Sequence, residues 1–68
     1  MAERLVNRLK DERARLGWTQ AELADRVGVS RKTINTVENG VFVPSTTLAL
    51  KLAAALGRPV EALFTLDE

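Results

Sequence analysis

The stretch from Thr19 to Gly40 constrains the fold more than any other part of this 68-residue chain. It reads as two short helices joined by a tight turn. Thr19, followed three residues later by Glu22, is a capping box, in which a hydroxyl and a carboxylate satisfy backbone N–H groups left free at a helix start. Leu23, Ala24 and Val27 fall on one face of that helix. Gly28 ends it, where a left-handed backbone costs a glycine little. Ser30 caps a second helix, with Ile34 and Val37 turned inward and Asn39–Gly40 at its end. The outward face of the second helix carries Arg31, Lys32, Asn35 and Thr36.

Further helices flank this unit. A first helix is expected from about Ala2 to Leu16, with Leu5, Leu9 and Leu16 on one stripe and Gly17 as its stop. Residues 41–44 form a loop whose Phe42 and Val43 are available to plug the core. Ser45 caps a fourth helix ending at Leu56–Gly57, with Leu50, Ala53 and Leu56 as its inward set. A short last helix covers about Val60 to Phe64, and Pro59 is tolerated at its first position. No sustained alternation marks a strand, and β-branched residues are scattered. The expectation is a single all-α domain of five helices over residues 1–68.

A chain of this size buries only ~60% of its unfolded surface, so its core is thin. It has no cysteine, which excludes a disulfide framework and a thiolate metal site and fits a reducing cytoplasm. It also has no histidine, which removes the commonest general base and metal ligand. With no room for a pocket, enzymatic activity, a cofactor and a small-molecule ligand are not expected. No apolar run approaches the ~18 residues that span a membrane. The net charge is only +1. Its distribution matters more: between Arg26 and Val37 lie Arg26, Arg31 and Lys32 and no acid. A modest basic patch on a near-neutral body suits a small sequence-reading domain.

Arg31, Lys32, Asn35 and Thr36 are cations and short hydrogen-bonding groups, the types that reach base edges and phosphates in a major groove. Alone, such a face could simply be solvated. Next to a glycine turn and a second capped helix it reads as the recognition face of a DNA-binding helix-turn-helix. Arg31 or Lys32 is the natural partner of guanine O6/N7, while Asn35 could read an adenine or touch phosphate. Thr19, Gln20, Ser30, Thr33 and Asn39 are the candidates for phosphate contact; beside Gln20, free backbone N–H groups at the helix start also attract phosphate.

Three features stay open between readings. Arg13 falls on the stripe of Leu5, Leu9 and Leu16, and Glu38 follows Ile34 by four. The two either form an inward ion pair or lean out to water. Trp18 either packs or donates its indole N–H to a phosphate. Val60, Leu63, Phe64 and Leu66 are either core or the seam of a dimer, and Leu66, past the last helix, tips the reading toward a seam.

The motifs at 19–24, 27–30, 34–40, 44–45 and 49–57 together resemble the Cro and phage-repressor (XRE) family of helix-turn-helix regulators, and the match extends from about Leu5 to Phe64. The resemblance implies the compact phage-repressor-like bundle. It implies base-reading positions at Arg31, Lys32 and Thr36, and a glutamine, here Gln20, that contacts a phosphate and braces the recognition helix. It also implies a buried pair between Arg13 and Glu38. The expected function is sequence-specific binding of double-stranded DNA by a homodimer on an inverted repeat, most readily as a repressor. The alternative is an antitoxin or a restriction–modification controller, which acts with a protein or operon partner.

Overall fold

The computed structural model describes residues 3–67. In chain order it has β1 (Arg4–Asn7), α1 (Leu9–Leu16), α2 (Gln20–Val27), α3 (Arg31–Glu38), α4 (Thr46–Leu56), α5 (Val60–Leu63) and β2 (Phe64–Asp67). The five helices stand as the sequence implies. The two strands do not: they form a small antiparallel sheet in which Arg4 faces Asp67, Leu5 faces Leu66, Val6 faces Thr65 and Asn7 faces Phe64.

The sheet corrects the expected first helix. Helical structure begins at Leu9, while Leu5 lies in β1 and Ala2 falls outside the described residues. The chain leaves the helical path because β2 supplies ladder partners, and because the turn is locked by two further bonds. The Arg8 backbone N–H donates to the Leu63 carbonyl at 2.9 Å, and the Asn7 side-chain oxygen accepts from the Leu9 N–H at 3.2 Å. Phe64 accordingly opens β2 and does not continue α5.

Serine and threonine caps start the middle elements as expected. Thr19, Ser30 and Ser45 each accept a backbone N–H three residues on, worth ~1 kcal/mol apiece. Gly28 ends α2 with φ of 73°, a conformation that L side chains rarely adopt.

The core comprises Leu9, Leu23, Ala24, Val27, Ile34, Val37, Leu48, Leu52, Leu56 and Leu63. On α4 the buried stripe is Leu48, Leu52 and Leu56, whereas Leu50 is 58% exposed. Of the expected inward set, Leu56 is buried and Ala53 packs half-buried against the core; only Leu50 turns outward, its place taken by Leu48 and Leu52, which share a face with Leu56 at four-residue spacing. Phe42 and Val43 are exposed and do not plug the core. Leu63 is 0% exposed, so it anchors the core and offers no surface to a seam. Burying one such leucine stabilises by roughly 1.5–3 kcal/mol, which is how a four-residue helix is retained.

Candidate nucleic-acid interface

The arrangement of α2 and α3 begins with the capping box at α2. Glu22 accepts the Thr19 backbone N–H at 3.0 Å, and Thr19 Oγ1 accepts the Glu22 N–H at 3.1 Å. Those bonds hold the Glu22 carboxyl below its ordinary titration range. The turn closes with the Val29 N–H donating to the Ala24 carbonyl at 3.0 Å. Ser30 then starts α3: its hydroxyl accepts the Thr33 N–H and lies 3.0 Å from the Thr33 hydroxyl.

Leu23, Ala24, Val27, Ile34 and Val37 are buried between the two helices and the core. This leaves Arg31, Lys32 and Asn35 exposed on α3. Among the described residues, Arg31 and Lys32 take part in no ion pair, so both guanidinium and ammonium remain free for an external anion or base. Thr36 is half-buried, and its hydroxyl donates to the Thr33 carbonyl at 2.9 Å. What Thr36 offers outward is therefore a methyl group and an acceptor. The third cation of the patch, Arg26, is otherwise engaged: its guanidinium lies 4.0 Å from the centre of the Trp18 ring, a cation–π contact. Trp18 itself is half-buried and packs against the core.

Behind α3 lies the ion pair. Arg13 Nε donates to Glu38 Oε2 at 2.7 Å and Arg13 Nη2 to Glu38 Oε1 at 3.0 Å. The side chains are 14% and 4% exposed. Arg13 Nη1 also donates to the Trp18 carbonyl at 2.9 Å, tying α1 to the entry of α2. Burial alone would push the Glu38 carboxyl up; the hydrogen bonds from Arg13 and Gln20 outweigh it, so the group titrates below its ordinary value. Of the two open readings for these residues, the inward pair is the one found.

Gln20 belongs to the same network. Its Nε2 donates to Glu38 Oε1 at 3.1 Å, and its Oε1 accepts from Asn35 Nδ2 at 3.4 Å. Asn35 Oδ1 in turn accepts from Asn39 Nδ2 at 3.1 Å. The side chain of Gln20 thus braces α3, as the resemblance implies. The candidates for phosphate contact occupy the start of α2 (Thr19, Gln20), the start of α3 (Ser30, Thr33) and its C-terminal end (Asn39).

One positioning residue escapes a reading of the sequence. Asn7, at the end of β1, donates from Nδ2 to the Val37 carbonyl at 2.9 Å and to the Glu38 carbonyl at 3.4 Å. It satisfies carbonyls left free at the end of α3 while capping α1 with its oxygen. No local motif announces this role, because its partners lie some thirty positions away.

Three of the four expected seam residues reach the surface, and Leu63 does not. Val60 and Phe64 are half-buried, Leu66 is 59% exposed on β2, and Leu63 is internal. Val60 and Phe64 line an open apolar groove together with Leu5, Pro44, Ala49 and Leu50.

A helix-turn-helix family model, HTH_3, matches residues 9–63. The chain is 44% identical over 64 residues to YgzD of Bacillus subtilis, named an uncharacterized HTH-type transcriptional regulator; the match covers 94% of this chain and 97% of that protein. A crystal structure from Bacteroides fragilis, described as that of a candidate DNA-binding protein, superposes with a TM-score of 0.80 at 28% identity, covering 90% of this chain and 98% of that one. A weaker likeness, 38% over 52 residues, joins 76% of the chain to 55% of the antitoxin HipB of Escherichia coli.

Proposed function

This chain belongs to the XRE-type helix-turn-helix family of DNA-binding transcriptional regulators, and from that premise we propose that it is a non-enzymatic repressor acting in the cytoplasm as a homodimer on an inverted-repeat operator. The observation that supports this reading most directly is the state of α3. It offers Arg31, Lys32 and Asn35 to solvent while its inner face is held by the core and by Glu38. A rigid helix with free cations on one side is suited to a major groove. Arg31 and Lys32 would read guanine edges. Thr36 would meet a base through its methyl group or its oxygen. Thr19, Gln20, Ser30, Thr33 and Asn39 would set the helix on the phosphates.

Two protomers are required by the arithmetic of address. One recognition helix specifies a few base pairs, too few against ~10⁶ or more competing sites, and a two-fold axis doubles the site with half-sites ~34 Å apart. The seam we propose includes Val60, Phe64 and Leu66, extended by Leu50 and Leu5 along the apolar groove. The antitoxin reading has the likeness to HipB in its favour, but that match leaves nearly half of HipB uncovered, whereas YgzD is covered almost end to end.

Selection of bound sequences from random duplex DNA tests the proposal. The expected product is an inverted repeat, bound with an affinity that falls linearly with log salt with a slope of several units. Leu50→Glu should give monomers by analytical ultracentrifugation and abolish cooperative binding. Enrichment of no sequence, with salt-independent affinity, would remove the DNA reading.

A further inference from the structure

The hydrogen bonds that connect Glu38, Gln20, Asn35 and Asn39 run in one direction, and chemistry fixes that direction from the inside. Glu38 is an ionised carboxylate held by Arg13, so it can only accept. Gln20 must therefore turn its NH₂ group to Glu38 Oε1, at 3.1 Å, and its oxygen to Asn35. Asn35 must then turn its NH₂ group to Gln20, at 3.4 Å. Its oxygen is left to accept from Asn39 Nδ2, at 3.1 Å. A surface amide ordinarily flips at little cost; this one has its oxygen and nitrogen assigned by a carboxylate two side chains away.

The relay uses one N–H and one lone pair of the Asn35 amide. One donor and one acceptor remain, on a residue exposed on α3. In the major groove adenine presents the complement, the N6 donor beside the N7 acceptor. Guanine presents two acceptors, cytosine a donor alone, and thymine an acceptor and a methyl group. We infer that Asn35 reads the N6/N7 edge of an adenine, and that Glu38, acting through Gln20, fixes which way round the amide meets it. This rests on the reading of α3 as the recognition helix and specifies what its middle turn recognises. Gln20 is in this scheme a positioning residue for Asn35, and its second side-chain N–H and its backbone N–H are left for the phosphate.

The test uses the whole chain and its selected operator. Wild type should specify an adenine at one position per half-site. Asn35→Ala, a change at an exposed site, should lower that preference roughly tenfold and leave the positions read by Arg31 and Lys32 unchanged. Replacing the adenine by 7-deazaadenine, which lacks the N7 acceptor, should weaken wild type several-fold and leave Asn35→Ala unaffected. Gln20→Leu retains Asn35 but breaks the relay, and should erode the adenine preference while thermal melting shows the fold intact. Asn35→Ala weakening every sequence by the same factor would make Asn35 a phosphate contact and overturn the inference, as would insensitivity of wild type to 7-deazaadenine. An adenine preference unaltered in Gln20→Leu would overturn the relay. In each of these outcomes the selected inverted repeat stands; its absence in wild type would instead sink the broader reading of function.

Discussion

The helix-turn-helix of α2 and α3 and the terminal sheet of β1 and β2 are built on opposite logics. In the first, each defining contact is local: Thr19 with Glu22, Ser30 with Thr33, Val29 with Ala24. In the second, every contact joins the two ends of the chain, as in Arg4 with Asp67. The local unit is held from beneath by a desolvated ion pair; the sheet carries its own ion pair at 2.7 Å in the open, with side chains 75% and 53% exposed. The contrast teaches that the exposed face of α3 is held from the protein side. The sheet contributes through one side chain, Asn7, that reaches back to α3.

The largest expected effect opposes the two ion pairs. Arg13→Ala strands Glu38 in the interior and should cost ~3–5 kcal/mol in urea unfolding. The double change Arg13→Met with Glu38→Leu should recover much of that loss. Equal stability of wild type and Arg13→Ala would erase the distinction between the regions. Next come Arg31→Ala and Lys32→Ala, each expected to weaken binding to the selected operator by ~1–3 kcal/mol and to relax one base pair per half-site without moving the melting temperature. If both keep wild-type sequence preference, the reading face lies elsewhere.

Asn7→Asp probes the link between the regions. It retains the oxygen that caps α1 but loses the donor to the end of α3, at an expected cost of ~1–2 kcal/mol. Loss of α3 protection in hydrogen exchange ahead of α1 would place the defect where the geometry puts it; a uniform loss would make Asn7 part of the sheet alone. Acid titration gives a smaller effect. The folded Glu38 carboxyl titrates below its unfolded value, so its contribution is complete above that value, about pH 4.5, and declines as pH falls through the lower, folded one. Acid-induced destabilisation in that window should be reduced in the Arg13→Met, Glu38→Leu variant. The smallest effect belongs to the exposed pair: Arg4→Ala should change stability by less than ~1 kcal/mol, and high salt should hide even that.

The same contrast explains what the sequence could and could not convey. Caps, the Gly28 turn and the spacing of Ile34 and Val37 are short-range signals, and the helix-turn-helix is legible residue by residue. The inward turn of Arg13 and Glu38 also follows from helical spacing, although Gln20 and Asn35 as members of their network do not. Residues 4–7 look like the start of a helix, and 64–67 alternate for only four positions. Neither segment is a strand until the other is beside it, so the pairing has no local signature. On α4 two apolar stripes compete, and spacing alone does not say that Leu52 goes in and Leu50 out; that depends on α1, α2 and α5, which pack against the helix from distant parts of the sequence. Asn7 falls inside the helix expected from about Ala2 to Leu16, where no local signal marks it as a partner of α3.

Pairing Arg4 with Asp67 places the ends of the described chain roughly 5 Å apart, the spacing of neighbouring strands. In topological terms the backbone is almost a ring, with the recognition unit on its far arc. A ring has no obligatory opening. A few added residues could join the ends, and new ones could be cut in the exposed segment of Val41, Phe42 and Val43, leaving residues 19 to 40 uninterrupted. The same geometry suits the domain to insertion in a loop of another protein: both connections would enter and leave at a single point, and the host would need to supply only a narrow gap.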